Sequence, residues 1–148
     1  MRAVVQRVTN VSVTSEGDPC GSIGNGLVVL LGIECGDTNE DALYIASKIL
    51  GLRVFDDENG TPNLSVCDVG GSILIVSQFT LLGDARKGRR PSYIRAASPD
   101  LAVPLYERIV SILKENTPVV SGRFRTHMQV SLTNDGPFTI LLDSRKAF

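Results

Sequence analysis

Leu27-Val28-Val29-Leu30-Leu31-Gly32-Ile33 runs apolar from end to end, with no polar residue at alternate positions. A strand covered on one face alternates, whereas one covered on both faces reads as continuous Val, Leu and Ile. The run is too short for a helix, so it marks a central strand of the core. Ile73-Leu74-Ile75-Val76 repeats the pattern and passes directly into Ser77-Gln78-Phe79-Thr80, where apolar residues give way to polar ones. Two such runs require a sheet with cover on each face.

Before them, residues 2 to 14 alternate through Val4, Arg7, Val11 and Val13, and Gly17-Asp18 supplies a turn, which predicts one or two strands of a hairpin. Gly24-Asn25-Gly26 is a second turn. A helix is predicted from Asp37 or Thr38, with Glu40 or Asp41 as capping-box partner, an apolar stripe of Leu43, Ala46, Ile49 and Leu50, and an end near Gly51. Leu52-Arg53-Val54-Phe55 reads as a strand ahead of the turn-rich Asp56-Asp57-Glu58-Asn59-Gly60. Residues 83 to 97 carry glycines and basic side chains without a period and read as a loop.

Ser98-Pro99 opens a second helix striped by Leu101, Leu105, Ile109, Ile112 and Leu113. Pro104 removes a donor past its first turn, which predicts a kink or a later start. Val119-Val120, residues 128 to 133 and residues 138 to 142 complete the strands, the last two joined by Asn134-Asp135-Gly136-Pro137 as a turn. Strands, helix, strands, helix, strands is the order of an α+β (mixed α/β) fold with a largely β core and two helices, in a single domain spanning 1–148.

Composition narrows the function. With 43% hydrophobic and 21% charged residues the chain is an ordinary globular protein. A formal net charge of −1 gives no long-range attraction to polyanions, so no DNA partner is expected and any RNA contact must be local. Cys20, Cys35 and Cys67 are odd in number and widely spaced, which fits neither a disulfide framework nor a zinc site, so no metal is expected and a reducing cytoplasm is. No apolar run reaches the ~18 residues of a membrane helix, and the N-terminus has no signal-like h-region, so a soluble, unprocessed chain without a membrane partner is expected.

Familiar catalytic arrangements are mostly excluded. His127 is the one imidazole, and a Ser-His-Asp machine would need it beside both a nucleophile and a carboxylate. Gly21-Ser22-Ile23-Gly24-Asn25-Gly26 lacks the lysine and following helix of a phosphate loop. What remains are main-chain dipoles and hydroxyls. The strand end at Ser77-Gln78-Phe79-Thr80 presents backbone N–H groups suited to an ester oxyanion, although strands leaving a core often end in such residues for no chemical reason. Gly136-Pro137 is normally only a turn, since about 5–6% of X-Pro bonds in folded proteins are cis; a cis bond would aim successive carbonyls as rigid acceptors for an ammonium group. Arg86-Lys87-Gly88-Arg89-Arg90 is a basic loop that reads either as solvated surface or as a grip on RNA phosphates through Arg86, Lys87, Arg89 and Arg90, with Arg123 and Arg125 extending the patch.

Val5-Gln6-Arg7-Val8, Gly70-Gly71-Ser72, Ser77-Gln78-Phe79-Thr80-Leu81, Arg90-Pro91-Ser92, Gly122-Arg123-Phe124, Met128-Gln129-Val130 and Asn134-Asp135-Gly136-Pro137 follow one another nearly end to end. In that order they resemble the D-aminoacyl-tRNA deacylase family in its widespread bacterial and eukaryotic form. The resemblance implies a homodimer with each active site at the interface and no cofactor. It places Ser77, Gln78, Phe79 and Thr80 in the catalytic pocket for the aminoacylated terminal adenosine. Gly136-Pro137, in cis, would enter from the partner, its carbonyls holding the α-amino group and leaving no room for an L side chain.

By the same resemblance Arg7 steadies that clamp, Phe124 and Met128 lie near the pocket, and the reaction is hydrolysis of the ester joining a D-amino acid, or glycine, to tRNA. Thr80 matches the family's proposed nucleophile, yet no base is visible for it. Assistance by the terminal ribose 2′-hydroxyl is therefore the favoured route. A related family with the opposite geometry at its Gly-Pro segment acts on L-amino acids, and Arg7 fits the D-selective form. The chain departs from the pattern in Phe138, where valine is common, and in the tail Asp143-Ser144-Arg145-Lys146-Ala147-Phe148; neither is expected to touch the clamp. Two other readings stay open: a non-catalytic RNA-binding module built on residues 86 to 90, and an oligomerisation domain in which Pro137 serves only as a turn.

Overall fold

The computed structural model describes Met1 to Phe148. In chain order the elements are β1 (Arg2–Ser15), β2 (Asp18–Ile23), β3 (Gly26–Gly32), α1 (Asn39–Gly51), β4 (Phe55–Asp56), β5 (Pro62–Leu64), β6 (Ser72–Ser77), a 3₁₀ turn (Phe79–Leu82), α2 (Pro99–Lys114), β7 (Val119–Ser121) and β8 (Met128–Asp143). This is the largely β, two-helix architecture that the element order predicts.

β3 holds the centre. It pairs antiparallel with β1 (Val5 opposite Val29) and parallel with β6 (Val29 opposite Ile75), and β7 extends the sheet in parallel beyond β6. The close approach of β3 to β6 begins at Gly26, whose φ is +158°; a Cβ there would lie 1.9 Å from the Ser72 carbonyl oxygen, so only glycine fits. One face of the sheet, with Val5, Val29, Ile73 and Ile75, packs on Ile45, Ile49, Ile109 and Leu113 of the two helices. Val28, Leu74 and Val76 face the other way and meet Val8, Val11 and Val13, with Val120, Met128 and Val130 against them. β1 and β8 therefore curl over the second face, which explains why β3 and β6 lack polar alternation.

Several local expectations are corrected. The capping box of α1 forms with Asp41, which accepts from the Thr38 amide at 2.8 Å and hydroxyl at 3.1 Å. Its buried stripe is Ala42, Ile45, Ala46 and Ile49, one residue out of phase at its start, so Leu43 is 42% exposed. Only Phe55 of the segment 52–55 enters a strand, in a small hairpin of β4 with β5. Pro104 neither kinks α2 into two elements nor delays its start, because it sits on the exposed side where its missing N–H leaves a carbonyl to solvent.

The largest correction concerns residues 128 to 142. Asn134-Asp135-Gly136-Pro137 does not join a hairpin: residues 128–134 and 139–143 run in one direction along the same strand, β1. The register jumps from Val8 opposite Asn134 to Gln6 opposite Thr139. Arg7 thus faces an excursion made of Asp135, Gly136, Pro137 and Phe138, an enlarged β-bulge.

An ion cluster closes the helix end of the sheet. The Met1 ammonium is fully buried and donates to Asp37 Oδ1 at 2.8 Å and Ser144 Oγ at 3.0 Å. Asp37 also accepts from the Glu34 amide at 2.7 Å and pairs with Arg145 at 3.2 Å. The tail is therefore tied into the fold. Removing Asp37 would leave a buried cation without its counter-charge, a loss of about 3–5 kcal/mol. Asp37→Ala is expected to lower the urea midpoint accordingly, with an unchanged denaturant slope.

Candidate functional site

Parallel strands β3 and β6 both end at the same edge, the position where open sheets leave a crevice. A cleft of about 650 Å³ opens there, within the range of small-molecule sites. Its floor is Leu31, Ile33 and Val76; its walls come from Ser77, Gln78 and Phe79, from Tyr93, Ala96 and Ala97, from the start of α2, and from Phe124 to Met128. The structure thus brings Ser77, Gln78, Phe79, Phe124 and Met128 together in one cavity. Phe124 is fixed by its tilted packing on Tyr106, ring centroids 5.7 Å apart. The Tyr106 hydroxyl donates to the Ile75 carbonyl at 3.0 Å, and burial pushes it above the usual tyrosine range.

The polar wall is built by a change of direction. Ser77 is the last residue paired with β3, and the Gln78 amide still donates to the Leu31 carbonyl at 2.7 Å. The chain then tightens into the 3₁₀ turn, closed by Leu81 N–H to Gln78 O at 3.2 Å and Gly83 N–H to Thr80 O at 2.9 Å. The leading amides of such a turn, those of Phe79 and Thr80, have no acceptor inside it. Thr80 does not line the cleft, and its hydroxyl takes a hydrogen bond from the Gln78 side-chain amide. His127 is exposed on the opposite wall, and no carboxylate lines the cavity. A Ser-His-Asp arrangement is not assembled here.

Gly136, Pro137 and Arg7 stand together, but apart from this cleft. The Gly136–Pro137 peptide bond is cis. Arg7 Nε donates to the Asp135 carbonyl at 3.1 Å and lies 3.2 Å from its carboxylate, while Nη1 donates to the Val54 carbonyl at 2.7 Å. Asn134 Oδ1 accepts from the Phe138 amide at 2.7 Å. The Phe138 ring lies beneath the Arg7 guanidinium, 5.1 Å away. The departure at Phe138 therefore does touch this segment, where a valine could not offer a π face. Gly136 is eight residue steps along the chain from Met128, about 26 Å of contour at ~3.3 Å per step.

The basic loop is pinched at its base, where Asp84 and Ser92 exchange amide-to-carbonyl bonds of 2.8 and 2.9 Å. Arg86 folds back on Asp84, and its hydrogen bonds hold that carboxyl well below the usual range. Lys87, Arg89 and Arg90 are exposed at the tip. Arg123 pairs with Asp18 at 3.7 Å, and Arg125 lines the cleft. Sequence reading missed Tyr93, Ala96, Ala97, Pro99 and Ala102 as walls. Their one signal was position, from just after the Arg90-Pro91-Ser92 motif into the first turn of α2.

Comparison with known proteins gives the family and the fold. The family model described as D-Tyr-tRNA(Tyr) deacylase matches residues 4–143. The chain is similar to the D-aminoacyl-tRNA deacylase of Thermosipho africanus, 59% identical with all of both chains covered, and to that of Kosmotoga olearia, 55% identical over the same extent. Among solved structures, one titled c-Myc DNA Unwinding Element Binding Protein superposes with a TM-score of 0.91 at 42% identity, covering 97% of this chain and 98% of that one. A probable eukaryotic D-amino acid tRNA deacylase, 18% identical with a TM-score of 0.84 over 95% and 97% of the chains, shares the fold. The chain belongs to the D-Tyr-tRNA(Tyr) deacylase family.

Proposed function

We propose that this protein hydrolyses the ester of D-aminoacyl-tRNA in the cytoplasm, working as a homodimer of single-domain subunits. The observation that supports this best is the separation of two prepared half-sites: a cleft bearing backbone donors, and a pinned Gly136-Pro137 excursion remote from it on the same chain. A second copy, related by a two-fold axis, supplies the missing half to each.

The terminal adenosine enters the cleft with its ester at the Phe79 and Thr80 amides, each donor contributing about 3–4 kcal/mol to an oxyanion. The partner's Gly136 and Pro137 carbonyls hold the α-ammonium, so the amino acid is gripped by backbone and an L side chain collides with the clamp. Glycine, having no side chain, is accepted. With no base beside Thr80, the ribose 2′-hydroxyl assists attack, and its fixed placement at the ester contributes up to ~7–11 kcal/mol. Lys87, Arg89 and Arg90 steer the RNA in a salt-sensitive manner, Arg86 less so because it is paired to Asp84.

Release of amino acid from D-Tyr-tRNA and L-Tyr-tRNA tests the reading. Rapid release from the D-ester alone is the expected result; no release from either overturns it in favour of an RNA-binding module. Gly136→Val is expected to abolish hydrolysis, because φ is +136° and a Cβ would meet the Phe138 amide at 2.9 Å. Thr80→Ala is expected to retain measurable turnover, and complete inactivity in a folded Thr80→Ala protein would assign the chemistry to its hydroxyl. Analytical ultracentrifugation checks the assembly: a fully active monomer is incompatible with a shared site.

A further inference from the structure

We propose that Phe79 and Tyr93 form a stacking platform for the unpaired nucleobase adjoining the aminoacylated end of the RNA, an inference that rests on the deacylase reading above. Phe79 is 57% and Tyr93 39% exposed, at the rim of the cleft. Their rings meet edge to face, centroids 5.1 Å apart and planes 73° to one another, so contact between them leaves ring faces open. Tyr106, by contrast, is 5% exposed.

The platform is held rather than loose. The Tyr93 ring packs on Gly83, where a Cβ would sit 3.0 Å from it. The Tyr93 carbonyl accepts from the Ala96 amide at 2.9 Å, and the Arg95 carbonyl from the Cys35 amide at 2.8 Å. Arg95 also pairs with Glu34, which is 3% exposed. The two rings thus adjoin the Asp84–Ser92 base of the loop whose exposed tip carries Lys87, Arg89 and Arg90. Aromatic faces beside cations are the arrangement that binds single-stranded nucleic acid, bases stacking and phosphates pairing. The flanking cations favour an RNA strand as the occupant, because its phosphates are the partners that such groups pair with.

The test compares kcat/KM on D-tyrosyl-adenosine, which has no further nucleotide, with that on a D-tyrosyl RNA minihelix ending in a single strand. Tyr93→Ala and Tyr93→Leu are each expected to lower the minihelix-to-adenosine ratio by roughly 5- to 100-fold, the loss of one stacked base. Tyr93→Phe, which keeps the ring, is expected to hold the ratio within about twofold of wild type on the same stacking argument. Equal losses on both substrates would make Tyr93 a cleft wall only, and dissociation of the leucine variant in the ultracentrifuge would make it an interface residue; either result overturns the platform. Wild-type protein inactive on both substrates would overturn the deacylase reading, and the platform with it.

Discussion

Everything distinctive about this molecule follows from one pairing constraint: both halves of β8 are hydrogen-bonded to the same strand, β1. A ladder interrupted on one side only must expel the surplus, and here the surplus is Asp135 through Phe138 opposite the single residue Arg7. Expelled backbone has lost its strand partners and needs others. Arg7 and Asn134 supply them, through the Asp135 carbonyl and the Phe138 amide. The excursion is thereby a fixed projection, not a mobile loop tip. Val54, next to β4, is held by the same arginine through its carbonyl.

The two continuous apolar runs made the sheet legible, because double-sided cover has a direct signature in composition. The helices were legible through their caps and periods, with an error of one residue in the phase of α1 that a run such as Leu43-Tyr44-Ile45-Ala46 invites. The bulge was not legible. Asn-Asp-Gly-Pro between two strand-like runs has the composition of a turn, and only the partner strand decides whether the chain reverses or continues. Long-range register of this kind is absent from a local pattern. The same limit applies to the site: Ser77, Gln78 and Phe79 stood out at the end of a strand, Phe124 and Met128 came only from the family resemblance, and Tyr93 and Ala97 became walls only when residues 93 to 97 were laid beside the end of β3.

The polar apparatus is mostly main chain. Most side chains lining the cleft are apolar, the polar ones being Ser77, Gln78, Arg125, Thr126 and His127; no carboxylate joins the lone imidazole in lining it, and the Thr80 hydroxyl is already engaged by Gln78. Backbone donors and acceptors cannot be altered by substitution without moving the chain, so such a site tolerates changes of side chain better than changes of conformation. Phe138 illustrates the point: a larger residue has been accommodated beside the projection, and its ring adds a face for the arginine.

The arginine latch has one more consequence. A guanidinium keeps its charge at any pH a protein survives, and the carbonyls of Asp135 and Val54 that it grips do not titrate. The amine of a bound amino acid, by contrast, ionises at about 7.7–8 in simple model compounds. On the proposed reading, the guest changes its protonation near neutrality while the main-chain acceptors that receive it have no proton to gain or lose. Acidity then governs how often the guest arrives charged.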